Sequence, residues 1–136
     1  MASELKVDKF TGVTTAGSIL VTGEGNSTTT NLQQGLCKSF SNIEGDAGTI
    51  STRDSFNQNG LTDNGTGDYT LSFTNNMANN DYSHMTNADS SSGHLAMQYG
   101  EAQDTTINCR IFVIEVSTTG STDSNVVMNS IHGDLA

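Results

Sequence analysis

RDSFNQNGLTDNGTGDYT, residues 53–70, is the stretch whose reading decides the fold. It reads as the end of one strand, a glycine-rich tight turn and the start of the next strand. Asn64, Gly65 and Gly67 are residue types that tolerate positive φ, the backbone state a tight hairpin or bulged turn requires. Beyond the turn, Tyr69, Leu71 and Phe73 alternate with Thr70, Ser72 and Thr74. That period of two marks a half-buried β-strand leaving a turn.

Working outward, similar signals recur at the spacing of sandwiches and barrels. The pattern predicts strands near 36–43, 49–56, 69–74, 81–86, 94–99, 105–117 and 125–131, with turn chemistry at 44–48, 59–67, 75–80, 87–93, 100–104 and 118–124. The longest apolar run, IFVIEV at 111–116, reads as a central strand covered on much of both faces. No segment has sustained helical periodicity and no solenoid repeat is present. The fold class expected is all-β: an antiparallel β-sandwich, jelly-roll-like, over residues 36–136. Ahead of it, residues 1–35 read as an extended N-terminal arm, with one short strand at 4–10 and a Thr-, Gly- and Ser-rich tether that cannot bury enough surface to order itself alone.

Composition agrees with that class. Ser, Thr and Asn supply 49 of 136 residues, short polar side chains that hold helix interiors poorly. Only 33% of residues are hydrophobic and no Trp is present, so the core of a lone protomer is thin and self-association would enlarge it. The net charge of −10 repels phosphate backbones and anionic lipid, which argues against a nucleic-acid or membrane role. The first ten residues, MASELKVDKF, have scattered charges and no apolar run, so neither a signal peptide nor a membrane span is expected and synthesis in a cytoplasm is. Under those conditions Cys37 and Cys109 are expected as free thiols, with a bridge between them left open. They are too few for a four-ligand zinc site, and His84, His94 and His132 show no ligand spacing to either cysteine. No metal or cofactor is expected.

Few residues invite a catalytic reading. Asp63, Asn64 and Asp68 offer oxygen ligands for calcium, but the loop lacks the acidic third ligand and the distal Glu, and a plain hairpin turn is favoured. Arg53 beside Asp54 reads as a structural ion pair or a subunit contact. No GxSxG and no recognisable nucleophile accompanies the histidines. The expectation is therefore a non-enzyme. Residues 79–100 mix Tyr82, His84, Met85, His94, Met97 and Tyr99 with Ser and Asn on turn-rich segments, a combination suited to a glycan or protein surface. Tyr82, His84, His94 and Tyr99 are the candidate receptor residues, set against ordinary strand packing. In the last strand Val127, Asn129 and Ile131 share one face while Val126, Met128 and Ser130 share the other. Large side chains on both faces suit a strand that packs inside the sandwich on one side and meets a neighbouring protomer on the other. Val127, Asn129 and Ile131 are assigned to the neighbour.

The order Lys38 and Phe40, RDSFN at 53–57, TDNGTGDYT at 62–70, then Phe73, Met77, Tyr82 and a closing Gly133-Asp134 resembles a tail-fibre-like domain of structural proteins from marine tailed bacteriophages. SELKVDK, residues 3–9, is similar to the N-terminal segment of many such virion proteins. The likeness covers residues 36–82 best, and it departs from the family pattern in lacking a Trp near Phe40 and a Pro after Met77. It implies a β-sandwich head, usually trimeric, attached to the particle by its N-terminus, and it does not imply a catalytic activity. The expected function is a virion structural protein, a capsid-decorating head fibre or knob or a tail-attached short fibre. Its partners would be the major capsid protein or a tail adaptor, and a host surface glycan for attachment. Docking would be β-augmentation, with Leu5, Val7 and Phe10 entering pockets while the backbone of 4–10 pairs with an exposed strand edge. The competing readings are a carbohydrate-binding module or adhesin without a virion role, and a small polysaccharide hydrolase using Asp54 or Asp68.

Overall fold

The computed structural model describes residues 4–13, 19–23, 27–46, 48–89, 93–98, 100 and 103–136. They fall into two compact units, Met1–Leu36 and Cys37–Ala136. In the first, β1 (Leu20–Thr22) and β2 (Thr29–Asn31) form a short antiparallel hairpin. A single helical turn, α1 (Leu32–Gly35), follows, and its N-terminus is capped because Asn31 Oδ1 accepts from Gln34 N at 3.2 Å. Residues 4–13 contain no strand, contrary to the expected strand at 4–10. A segment this polar gains nothing from extending unless another backbone pairs with it.

The second unit is an antiparallel β-sandwich, as its period-two patterning predicts. One sheet has the order β4 (Ser51–Phe56), β3 (Ser39–Glu44), β10 (Val127–His132), β7 (Ser83–Ala88); the other has β5 (Gln58–Gly65), β6 (Asp68–Phe73), β9 (Asn108–Glu115), β8 (His94–Gln98). Alternate residues of the inner strands fill the space between the sheets: Ile43 from β3, Val127 and Ile131 from β10, Tyr69, Leu71 and Phe73 from β6, and Cys109, Ile111 and Val113 from β9. IFVIEV is thus a central strand with one fully buried face.

The chain passes between the sheets at their edges. Asn57 alone joins β4 to β5, in the left-handed region at φ 57°. Asparagine tolerates that conformation better than most residues. Its amide secures the corner: Oδ1 accepts from Asn75 N at 2.7 Å and Nδ2 donates to Asn75 O at 3.0 Å. At the opposite corner Thr86 Oγ1 on β7 donates to Ala96 O on β8 at 2.9 Å. Sheet edges are thus short, bulged or tied to each other, which limits unwanted strand pairing.

β5 is a strand the turn-rich reading of 59–67 did not anticipate. The hairpin turn itself occupies only Thr66 and Gly67. Two register breaks in β5, at 58/60 and 63/65, interrupt the alternation that would have revealed it.

Candidate functional site

The motif region is held together residue by residue. Gly67 has φ 68°, and a Cβ there would lie 2.5 Å from Val113 O and 2.6 Å from Thr122 O. Only glycine fits a backbone wedged this closely against β9 and the 118–124 connection. Asp123 clamps the same point, its Oδ1 accepting from Gly67 N at 2.7 Å and from the Tyr69 hydroxyl at 3.0 Å. Burial, reinforced by the Asp123 carboxylate, pushes the Tyr69 phenol well above its usual range. On the outer face of β6, Asp68 receives a two-pronged contact from Arg110, Nε to Oδ1 at 2.7 Å and Nη2 to Oδ2 at 2.5 Å. Asn64 Nδ2 adds bonds to Thr70 Oγ1 at 2.8 Å and Asp68 Oδ1 at 3.3 Å. Asp63 Oδ1 accepts from Gly65 N at 2.9 Å. Asp63 Oδ1 and both Asp68 oxygens, weighed as calcium ligands, are therefore engaged in fixing a hairpin. Arg53 reaches Glu44 at 3.3 Å and Asn125 Oδ1, rather than Asp54.

The arrangement closest to acid–base machinery lies inside the sandwich. His84 Nδ1 stands 3.0 Å from Asp104 Oδ2, with both side chains almost fully buried. Asp104 also accepts from Gln98 Nε2 at 2.7 Å and from Arg110 N at 3.0 Å. Beside it the Tyr82 hydroxyl is within reach of Thr105 O at 3.2 Å and Asn108 O at 3.1 Å. Burial first, and then the negative charge of Asp104, push the Tyr82 phenol and the Cys109 thiol upward. His84 Nε2 is buried and meets no hydrogen-bond partner. A histidine oriented by a carboxylate is half of a nucleophile-activating relay, and among the described residues no hydrogen-bond partner meets the second nitrogen. The network ties β7, β8 and β9 to the 103–108 segment.

These placements correct several sequence expectations. Tyr82 and His84 belong to the interior, because on β7 and just before it the inward positions fall on them; they are not displayed. His94 is partly buried, with Nδ1 shielded and without a hydrogen-bond partner among the described residues, and it sits across from Glu115. Tyr99 lies outside the described residues. Val127 and Ile131 are completely buried and Asn129 nearly so. Their face points into the protomer's own core, where Asn129 Oδ1 accepts from Ser41 Oγ and Asn129 Nδ2 approaches Cys109 Sγ at 3.8 Å. They cannot also meet a neighbour. Cys37 and Cys109 are both free, the expected default.

The face turned outward from β10 carries what the sequence reading missed. Phe56, Phe40, Ser130 and Met85 lie in one row across the sheet, with Asn42 and Met128 in the next. The Phe40 and Phe56 rings stack with centroids 6.1 Å apart. Phe40, Phe56, Met85 and Met128 are all exposed. The only full charges on these four strands' outer positions are Glu44 and Arg53, toward one end of the β3–β4 pair, and Asp54, which continues the Met128–Asn42 row onto β4. The signal was present in the alternation of β3 and β10, but it needs the inward face to be known first. Leu5, Val7 and Phe10 are likewise exposed in the N-terminal unit. Comparisons with protein-family models, with curated proteins and with solved structures found no match to this chain.

Proposed function

We propose that this chain is a bacteriophage virion structural protein, a short fibre or knob on the capsid or tail, without catalytic activity. Its N-terminal unit docks on the particle, and its β-sandwich is a head that trimerises. The observation that carries the reading is the presence of a compact sandwich unit and a second, N-terminal unit whose Leu5, Val7 and Phe10 are exposed and lie in no strand. Three such side chains are worth roughly 1.5–3 kcal/mol each when buried, enough to anchor a peptide on a capsid or adaptor surface. The RDSFN and TDNGTGDYT likeness supplies the phage context.

The trimer contact is reassigned to the outer face of β4, β3, β10 and β7. Copies of a chain with net charge −10 repel one another, and residues 37–136 carry −9 of it, 12 Asp and Glu against three Lys and Arg. The Phe40, Phe56, Met85 and Met128 face is almost neutral, so it is where two acidic heads approach at least electrostatic cost. With Tyr82 and His84 in the core, the reading gives the head a scaffolding role and leaves glycan attachment without those two residues.

Deletion of residues 1–10 tests the docking assignment. The truncated protein is expected to remain soluble and folded, with unchanged circular dichroism, and to be missing from purified particles. Particles that still incorporate it would sink the assignment.

A further inference from the structure

Both register breaks of β5 fall at an asparagine followed by a glycine. Gln58 pairs with Phe73 and Gly60 with Ser72, which leaves Asn59 as the extra residue; Asp63 pairs with Tyr69 and Gly65 with Asp68, which leaves Asn64. An asparagine preceding glycine is chemically the most exposed of its kind, since glycine carries no side chain to obstruct attack by its own nitrogen. The two sites share that local sequence and differ in their restraints. At Asn64 the side-chain amide is held by Thr70 and Asp68, and the Gly65 N–H is occupied by the Asp63 carboxylate at 2.9 Å. Asn59 is exposed, and its side chain makes no hydrogen bond among the described residues.

We infer that Asn59 is a site of spontaneous backbone modification and that Asn64 is protected from the same reaction. The Gly60 nitrogen attacks Asn59 Cγ, an N–C bond forms and the Cγ–Nδ2 bond breaks. Ammonia leaves, taking up the proton lost from Gly60 N. Water opens the resulting succinimide at either carbonyl, giving aspartate or isoaspartate; no oxidant or cofactor is needed. The usual expectation is reversed, for it is the hairpin-end asparagine that is shielded and the one within the strand that reacts. Isoaspartate inserts a further backbone carbon where β5 already carries one residue more than β6, and it adds a negative charge.

The folded full-length chain, held at mildly alkaline pH, provides the test. Cleavage by chymotrypsin after Phe56, Leu61 and Tyr69 separates the sites into fragments 57–61 and 62–69, and mass spectrometry reads amide-to-acid conversion in each. Conversion in 57–61 is expected to run at least about tenfold faster than in 62–69, the factor that one or two hydrogen bonds are worth. In urea the two rates should converge. Asp63→Ala combined with Thr70→Val should raise the 62–69 rate, and Gly60→Ala should suppress that of 57–61. Equal or reversed rates in the folded protein would overturn the inference. So would an unreacted Asn59 after an interval that converts the urea control.

Discussion

β4 and β10 lie one strand apart in the same sheet and could hardly differ more in use. Every residue of β4 is exposed, whereas β10 alternates without exception between core and surface. Yet β4 begins the recognisable string RDSFN, while β10 is an unremarkable VMNSIH. The difference teaches that a memorable motif marks demanding backbone geometry, here an edge, a one-residue corner and a hairpin. The core is carried by plain alternation that no motif advertises.

Neighbouring residues of β10 give the strongest way to break this contrast. Val127→Asp would place a carboxylate in a fully buried position, a cost comparable to the whole stability of a domain of this size, about 5–15 kcal/mol, and no soluble folded protein is expected. Met128→Asp, one residue along, should shift stability by no more than about 0.5 kcal/mol while weakening self-association measured by light scattering. If the two variants behave alike in thermal unfolding, the assignment of faces is wrong.

A second substitution asks whether the motif side is as expendable as the exposure of β4 suggests. Gly67→Ala combines a positive φ with close backbone contacts, and a loss of about 3 kcal/mol in chemical denaturation is expected. A near-neutral result would mean that the hairpin moves freely away from β9.

An effect seen only at alkaline pH concerns the phenols of the core side. Tyr69 and Tyr82 are both pushed above their ordinary 10.0, chiefly by burial. Below about pH 10 folded and unfolded chains hold both protons alike and the contribution is complete. As the pH rises further the unfolded chain releases protons that the folded one keeps, so stability falls, by up to about 1.4 kcal/mol per group for each pH unit. Spectrophotometric titration should find these two phenols ionising only together with unfolding. Ionisation in the intact fold would show that the core is open to water.

How far the molecule was legible follows the same line. β3, β6, β9 and β10 could be read because their alternation is uninterrupted and their inward residues are large or β-branched. β5 was hidden, since Asn59, Gly60, Asp63, Asn64 and Gly65 are poor strand formers and two extra residues cancel the period. β1 and β2 were lost in a tether of Thr and Gly for want of an apolar face. On β10 both faces carry large side chains, so parity was visible but direction was not. Only the burial of Val127 in the core cluster decides it. Tyr82 and His84 misled because turn-rich sequence around them suggested display, whereas Asp104, twenty residues beyond His84, draws that histidine inward.

The pairing of β10 with β3 has a consequence for the order of folding. It joins Ser41 to Asn129, 88 residues apart, and it places the last strand of the sandwich in the middle of its sheet. Hairpins β5–β6 and β8–β9 can close early from nearby segments. The β4–β3 pair and β7 have no common partner until residues 127–132 arrive between them. Loop closure over such a span is entropically slow, and contacts of this separation put the chain among sluggish folders. Until that strand inserts, one sheet exists only as two unjoined edges, and Ile43 lacks the neighbour that shields it.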